Sequence, residues 1–181
     1  RQAKYGRIVE RLRSEDGISD ADIVEPGPAS DEDVLRVHTP DYYTRCRDGA
    51  LTAWEIMQLE LPWSQALFDA AARCCQGSVL AAALALDHGA GLHVGGGFHH
   101  AFADHGEGFC VFNDVAVAIR RMQAEERVVR VLVADCDLHQ GNGTASIFAG
   151  DADVATFSIH QMDIYPAVKP PSTVDVPLAP G

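Results

Sequence analysis

Residues 128–134, Val-Val-Arg-Val-Leu-Val-Ala, constrain the fold of this chain more than any other segment. The run is almost unbroken apolar and β-branched, which is the pattern of a parallel strand covered on both faces. Parallel strands need long crossovers, and the flanking sequence supplies them. Residues 64–88 place Ala66, Leu67, Ala70, Ala71, Cys74, Cys75, Val79, Leu80 and Leu84 near a 3.6-residue period, with Gly89 just past the end. Residues 111–125 repeat the helical pattern, residues 154–159 read as the next strand, and residues 92–94 form a shorter strand candidate. Upstream, Ile8, Val9 and Leu12 mark a short helix that breaks at residues 14–17, and residues 22–24 suggest a brief strand. Ser30 is a helix N-cap ahead of three acidic residues, and Pro40 starts a helix through Tyr43 and Cys46. The alternation implies an α/β fold with a mainly parallel sheet, without internal repeat, low-complexity tract or linker. One domain over residues 1–181 is expected.

Composition narrows the function classes. Of 181 residues, 47% are hydrophobic and 22% charged, which excludes a disordered chain. A net charge of -12 opposes binding along a phosphate backbone, so nucleic acid is not an expected partner. The longest apolar stretch, residues 79–86, is too short to span a bilayer. Five cysteines make no paired framework, and a reducing cytoplasm is the expected compartment. The chain opens on Arg1 and closes on Pro180-Gly181, so both ends are expected to be cuts.

Two clusters carry chemistry. Asp135, Asp137 and His139 follow the strongest strand, at the end where open parallel sheets place their ligands. If the backbone stays extended, alternation puts these three on one side and Cys136 and Leu138 on the other. Two carboxylates and an imidazole suit zinc or a similar divalent metal; the alternative is a polar strand end with Asp137 capping the next turn. The second cluster, Gly95-Gly-Gly-Phe-His99-His100, allows a glycine loop to turn two imidazoles toward one cavity, where they could act as general base and acid. By itself it could equally be a tight turn. Cys74-Cys75 reads as helix packing, and His38, His88, His93 and His105 as structural or surface residues.

Together these segments resemble the zinc-dependent histone deacetylase family, which includes acetoin-utilisation and acetylpolyamine amidohydrolase proteins. The resemblance rests on the two clusters, on Gly106-Glu-Gly108-Phe109-Cys-Val-Phe-Asn113-Asp114, on Gln140-Gly-Asn142-Gly, on Ser158-Ile-His160 and on the closing residues 174–181. The Gln140 and Asn142 form is similar to the class IV branch and its bacterial relatives. The resemblance implies a three-layer arginase/deacetylase-like fold, incomplete at both ends. It makes Asp137 and His139 zinc ligands and His99 and His100 the catalytic pair. Asp135 would stand behind His99 and Asn142 behind His100, where a neutral amide leaves the imidazole less basic than a carboxylate would. Gly108 and Phe109 would line an acyl-lysine channel with Tyr165 opposite, and Asp135 with Ser158 would hold a monovalent cation, K+ or Na+.

The family's third zinc ligand and its carbonyl-polarising tyrosine lie further toward the C-terminus than this chain reaches. Asp163 and Asp175 are the only late carboxylates, and neither has the family's context. The expected activity is hydrolysis of the amide of an acetylated lysine, in a protein or peptide, or of an acetylated polyamine-like amine. The alternatives are a non-catalytic fragment of the same fold and an arginase-like manganese hydrolase.

Overall fold

The computed structural model describes residues 3–15 and 17–180. Helix α1 (Ala3–Glu15) exceeds the expected span at both ends; Asp16, in the break that follows, and Arg1 and Gly181 at the ends lie outside the described residues. Residues 22–24 do not form the expected strand. The Ser19 amide and hydroxyl both donate to Asp22 Oδ2, at 2.9 and 2.7 Å, and fold Asp20–Asp22 into a 3-10 turn instead.

Local capping sets most of the helices. Ser30 Oγ accepts the Asp33 amide to start α2 (Asp31–Leu35), and Thr39 with Pro40 starts α3 (Pro40–Asp48). A helix absent from the sequence expectations, α4 (Ala53–Leu59), begins at a reciprocal cap between Thr52 and Glu55. Ser64 and Gly89 bound α5 (Gln65–His88) as expected. The helix expected from residue 111 starts later, as α6 (Asp114–Ala124), because the Asn113 side chain takes the N-cap and holds the Ala116 amide at 3.0 Å. Val111 and Phe112 are core residues leading into it.

Among the described residues the sheet is three parallel strands in the order β1 (Val131–Asp135), β2 (Val154–Gln161), β3 (Val174–Leu178), with α7 (Asn142–Ile147) crossing between the first two. Register pairs Val131 with Val154 and Asp135 with Ser158. Residues 92–94 are loop, and residues 128–130 precede the strand they were expected to open. The sheet is covered on one face. Val131, Val133 and Val154 pack under Ala116, Ile119 and Phe148, whereas on the other face Leu132 is 65% exposed, Val174 49% and Leu178 48%. The continuous apolar run in β1 therefore faces helices on one side only, among the described residues.

The main core lies within the helical layer. Tyr42, Tyr43, Phe68 and Phe112 form a ring cluster with centroids about 6 Å apart, and His38 packs on Phe112 at 5.1 Å. Truncating Phe112 to alanine would cost about 3–5 kcal/mol. His38 Nε2 accepts the Asn113 amide, and burial pushes its pKa down to about 4, consistent with a structural neutral histidine. Cys75 is fully buried and burial pushes the Cys74 thiol up to about 11, so this pair is helix packing as expected. Among the described residues no helix is long and apolar enough to cross a membrane.

Candidate functional site

The glycine loop after α5 is held from beneath by Asp114, the first residue of α6. Its buried carboxylate accepts the Gly97 amide at 3.0 Å and the Phe98 amide at 2.7 Å, together with the Ser78 hydroxyl of α5. The Ser78 oxygen in turn accepts from His93 Nδ1 at 3.0 Å, and burial, opposed by Asp114, pushes the His93 pKa down. Gly97 sits at a φ of 95°, which a side chain would strain, and this turn delivers the next two residues to the site.

His99 and His100 point to a common region with ring centroids 4.1 Å apart. The backbone around them is clamped by α7: the Thr144 amide donates to the His99 carbonyl at 3.0 Å, and Asn113 Nδ2 donates to the Ala101 carbonyl at 3.1 Å and to Thr144 Oγ1 at 2.9 Å. His99 Nδ1 donates to Asp135 Oδ2 at 2.6 Å. That pair requires glycine at 141, since a Cβ there would lie 2.4 Å from Asp135 Oδ2. His100 Nδ1 donates to Asn142 Oδ1 at 2.7 Å. Each imidazole thus carries its hydrogen on Nδ1 when neutral, leaving Nε2 as the basic atom.

The electrostatics follow from the surroundings. Burial pushes Asp135 upward, but the hydrogen bonds from His99 and the Asp137 amide outweigh it and hold the carboxyl below the usual range. Burial pushes His100 down to about 4, helped by His99 and His139 and opposed by Asn142 and Glu107. His100 is therefore neutral at physiological pH.

The extended alternation expected through His139 ends at Asp135. Beyond it the Asp137 amide donates to Asp135 Oδ1 at 2.9 Å and the His139 amide to Asp137 Oδ1 at 2.8 Å, so successive aspartates curl the chain. The alternation that set Cys136 and Leu138 opposite the aspartates therefore does not extend past Asp135, and residues 133–137 together with His99 border a cavity of about 300 Å³. Asp137 Oδ1 stands 3.4 Å from His139 Nδ1 and 4.0 Å from His99 Nε2. A carboxylate and an imidazole are donors of the right kind for zinc, but a catalytic zinc takes three protein ligands. Among the described residues no group of three His, Cys, Asp or Glu side chains is placed to hold a metal. Asp175 is occupied by the Ser172 amide at 2.8 Å and by Gln140 Nε2 at 3.1 Å.

Of the expected channel residues, Gly108 and Tyr165 lie against His100, whereas Phe109 borders a small cavity with Leu67, Phe98 and Phe112. Tyr165 lies edge-on to His100 at 4.9 Å and to His139 at 5.9 Å, and its hydroxyl would be 2.7 Å from a Cβ on Gly108. Phe109 is 43% exposed at φ 69°, a left-handed conformation held by its amide on the Leu59 carbonyl at 3.0 Å. Residues 108 and 109 thus lean on the end of α4. Asp135 and Ser158 are side by side on one face of the sheet, and the Ser158 hydroxyl shares a hydrogen with His160 Nδ1 at 2.9 Å.

One residue without an assigned role in the sequence is central here. Glu107 accepts from Asn142 Nδ2 at 2.9 Å and from the Tyr165 hydroxyl at 2.5 Å, so it joins the support of His100 to the channel wall. Burial, reinforced by Glu107, pushes the Tyr165 phenol up and keeps it a donor. The only sequence signal was its place between Gly106 and Gly108.

The histone deacetylase domain model matches residues 1–176. An uncharacterized protein of Picosynechococcus is 39% identical over 97% of this chain and 59% of its own length. Histone deacetylase 2 of Arabidopsis thaliana is 32% identical over 91% of this chain and 44% of its own. A crystal structure of a histone deacetylase homologue from Aquifex aeolicus superposes with a TM-score of 0.78 at 24% identity, covering 94% of this chain and 52% of that one. The chain spans about half the length of the curated relatives it matches.

Proposed function

The chain belongs to the histone deacetylase domain family, and from that premise we propose that it serves hydrolysis of the amide of an acetylated lysine or a related acylated amine, releasing acetate. The observation that carries the reading is the pair of adjacent imidazoles, each anchored through Nδ1, one on Asp135 and one on Asn142. An acyl chain entering between Gly108, Phe109 and Tyr165 would bring its amide to them. His100, neutral and with Nε2 basic, takes the proton of the attacking water; the pair then delivers a proton to the leaving amine as the C–N bond breaks. Asp135 and Asn142 keep both rings oriented throughout.

Asp137 and His139 would supply two ligands to a divalent metal, zinc by the chemistry of the donors, with a third donor from outside the described residues. When bound, such an ion polarises a carbonyl and acidifies water. Asp135 and Ser158, adjacent across the β1–β2 pairing, would seat a monovalent cation, K+ or Na+. The compartment proposed is the cytoplasm.

The test is acetate release from an acetyl-lysine peptide and from an acetylated polyamine, with metal content measured per chain. Release that is lost in His100→Ala supports the reading. A second reading, binding of acyl-lysine without hydrolysis, is favoured by the two-donor count at Asp137 and His139. Peptide binding without acetate release, in protein saturated with zinc, would establish it instead.

A further inference from the structure

The amide behind His100 raises a problem that a carboxylate does not. Either oxygen of an aspartate accepts from an imidazole, but an asparagine presents an acceptor at one end and a donor at the other. Only one orientation of Asn142 leaves the hydrogen of His100 on Nδ1. In that orientation Asn142 Oδ1 takes His100 Nδ1 at 2.7 Å and the Gly143 amide at 3.1 Å, and Nδ2 must find an acceptor. Glu107 Oε1 is that acceptor, at 2.9 Å. Turning the amide over would set its oxygen against the carboxylate and its NH2 against both the Gly143 N–H and the imidazole.

Glu107 is tied on its other sides. Oε1 also receives the Tyr165 hydroxyl at 2.5 Å, and Oε2 lies 3.7 Å from His105 Nε2. Of these contacts the one to Asn142 reaches His100, and Tyr165 is itself packed edge-on against the His100 ring at 4.9 Å. One carboxylate therefore sets both the amide behind the imidazole and the aromatic wall in front of it.

We propose that Glu107 is a positioning residue: it fixes the orientation of the Asn142 side chain, and through it the Nδ1–H tautomer of His100, so that Nε2 is the basic nitrogen. The kinetic consequence rests on the amide-hydrolysis reading, whereas the tautomer does not.

The experiment is nitrogen-15 NMR of histidine-labelled protein at neutral pH, with the His100 signals assigned by their loss in His100→Gln. In the unmodified protein His100 shows a protonated Nδ1 and a bare Nε2. Glu107→Ala is expected to move the tautomer ratio at least about tenfold toward Nε2–H, an effect of about 1.4 kcal/mol. Glu107→Gln, which keeps an oxygen acceptor, retains the original pattern. Glu107→Ala combined with Asn142→Asp restores Nδ1–H, because an aspartate accepts in any orientation. His99, held by Asp135, keeps Nδ1–H in every variant. Should Glu107→Ala not fold, Glu107→Met keeps the bulk while removing the acceptor. A His100 that stays wholly Nδ1–H without an acceptor at 107 overturns the proposal, since the Gly143 amide alone would then orient Asn142; failure of Asn142→Asp to restore it does the same. In an active enzyme kcat falls about tenfold in Glu107→Ala and recovers in the double variant, a part of the roughly 10²–10⁴ that general acid–base catalysis contributes. Protein that shows the tautomer shift but hydrolyses no acylated amine supports the positioning role and sinks the amide-hydrolysis reading.

Discussion

His99 and His100 are consecutive in sequence with ring centroids 4.1 Å apart, yet they are held by opposite layers of the fold. His99 leans on Asp135, the last residue of β1, and so on the sheet. His100 leans on Asn142, the first residue of α7, and so on the helices. The sheet side supplies a full negative charge from a carboxylate that its hydrogen bonds keep ionised. The helical side supplies a neutral, deeply buried acceptor, and burial keeps His100 uncharged. Two rings with the same chemistry are thereby differentiated by what stands behind each of them, which is the arrangement that lets one of a pair give protons while the other takes them.

The comparison breaks most sharply if both rings are dispensable. His100→Ala, and separately His99→Ala, should each lower acetyl-lysine hydrolysis by roughly 10²–10⁴ with the circular dichroism spectrum unchanged. Near-normal turnover in either variant would remove that ring from the mechanism. Next in size is metal retention on the sheet side. Asp137→Ala and His139→Ala should weaken zinc binding, read by calorimetry, at least about tenfold, and the 181-residue chain itself should hold zinc weakly with two donors in place of three. Tight stoichiometric zinc in the isolated chain would point to a substitute donor such as Asp163 or a residue of a second copy.

A subtler contrast is tested by making the two sides alike. Asn142→Asp puts a carboxylate behind His100, which favours the charged imidazole and raises a pKa now pushed down to about 4. The basic form is then lost at higher pH, so the acid limb of the kcat profile should move upward by about 1 unit or more, toward the ordinary imidazole value. An unmoved limb would mean that another group governs it. The smallest effect is expected at Tyr165→Phe, which keeps the wall and deletes one hydrogen bond to Glu107. A loss of about 1 kcal/mol, or about fivefold in kcat/KM, is the expected scale.

The rings themselves were legible because their chemistry sits in short contiguous runs. The glycine run before His99 and the Asp135, Asp137, His139 spacing can be read directly, and the cap at Ser30 and the bounds of α5 are equally local. Glu107 was not legible as a functional group. Its partners Asn142 and Tyr165 are 35 and 58 residues away, so only tertiary packing reveals what it does. The strand expected at residues 92–94 failed for a related reason: a segment as short as Leu92-His93-Val94 becomes a strand only where a neighbour pairs with it, and here it ties Ser78 to the glycine loop through His93. Helix α4 was the opposite case, since the Thr52 and Glu55 cap was present in the sequence but only seven residues of helix follow it. Alternation could not be carried past the end of β1, because the aspartates' own side chains build turns there.

The uncovered face of the sheet has a calorimetric signature. Leu132, Val174 and Leu178 are already hydrated in the folded chain, so unfolding adds less new apolar surface than the chain length would suggest. The heat-capacity increment on melting should accordingly fall below the ~12–15 cal/mol/K per residue of an ordinary globular domain. The slope of stability against denaturant should be shallow for the same reason. A stability curve with little curvature would follow, leaving the chain only weakly sensitive to temperature around its maximum and resistant to cold.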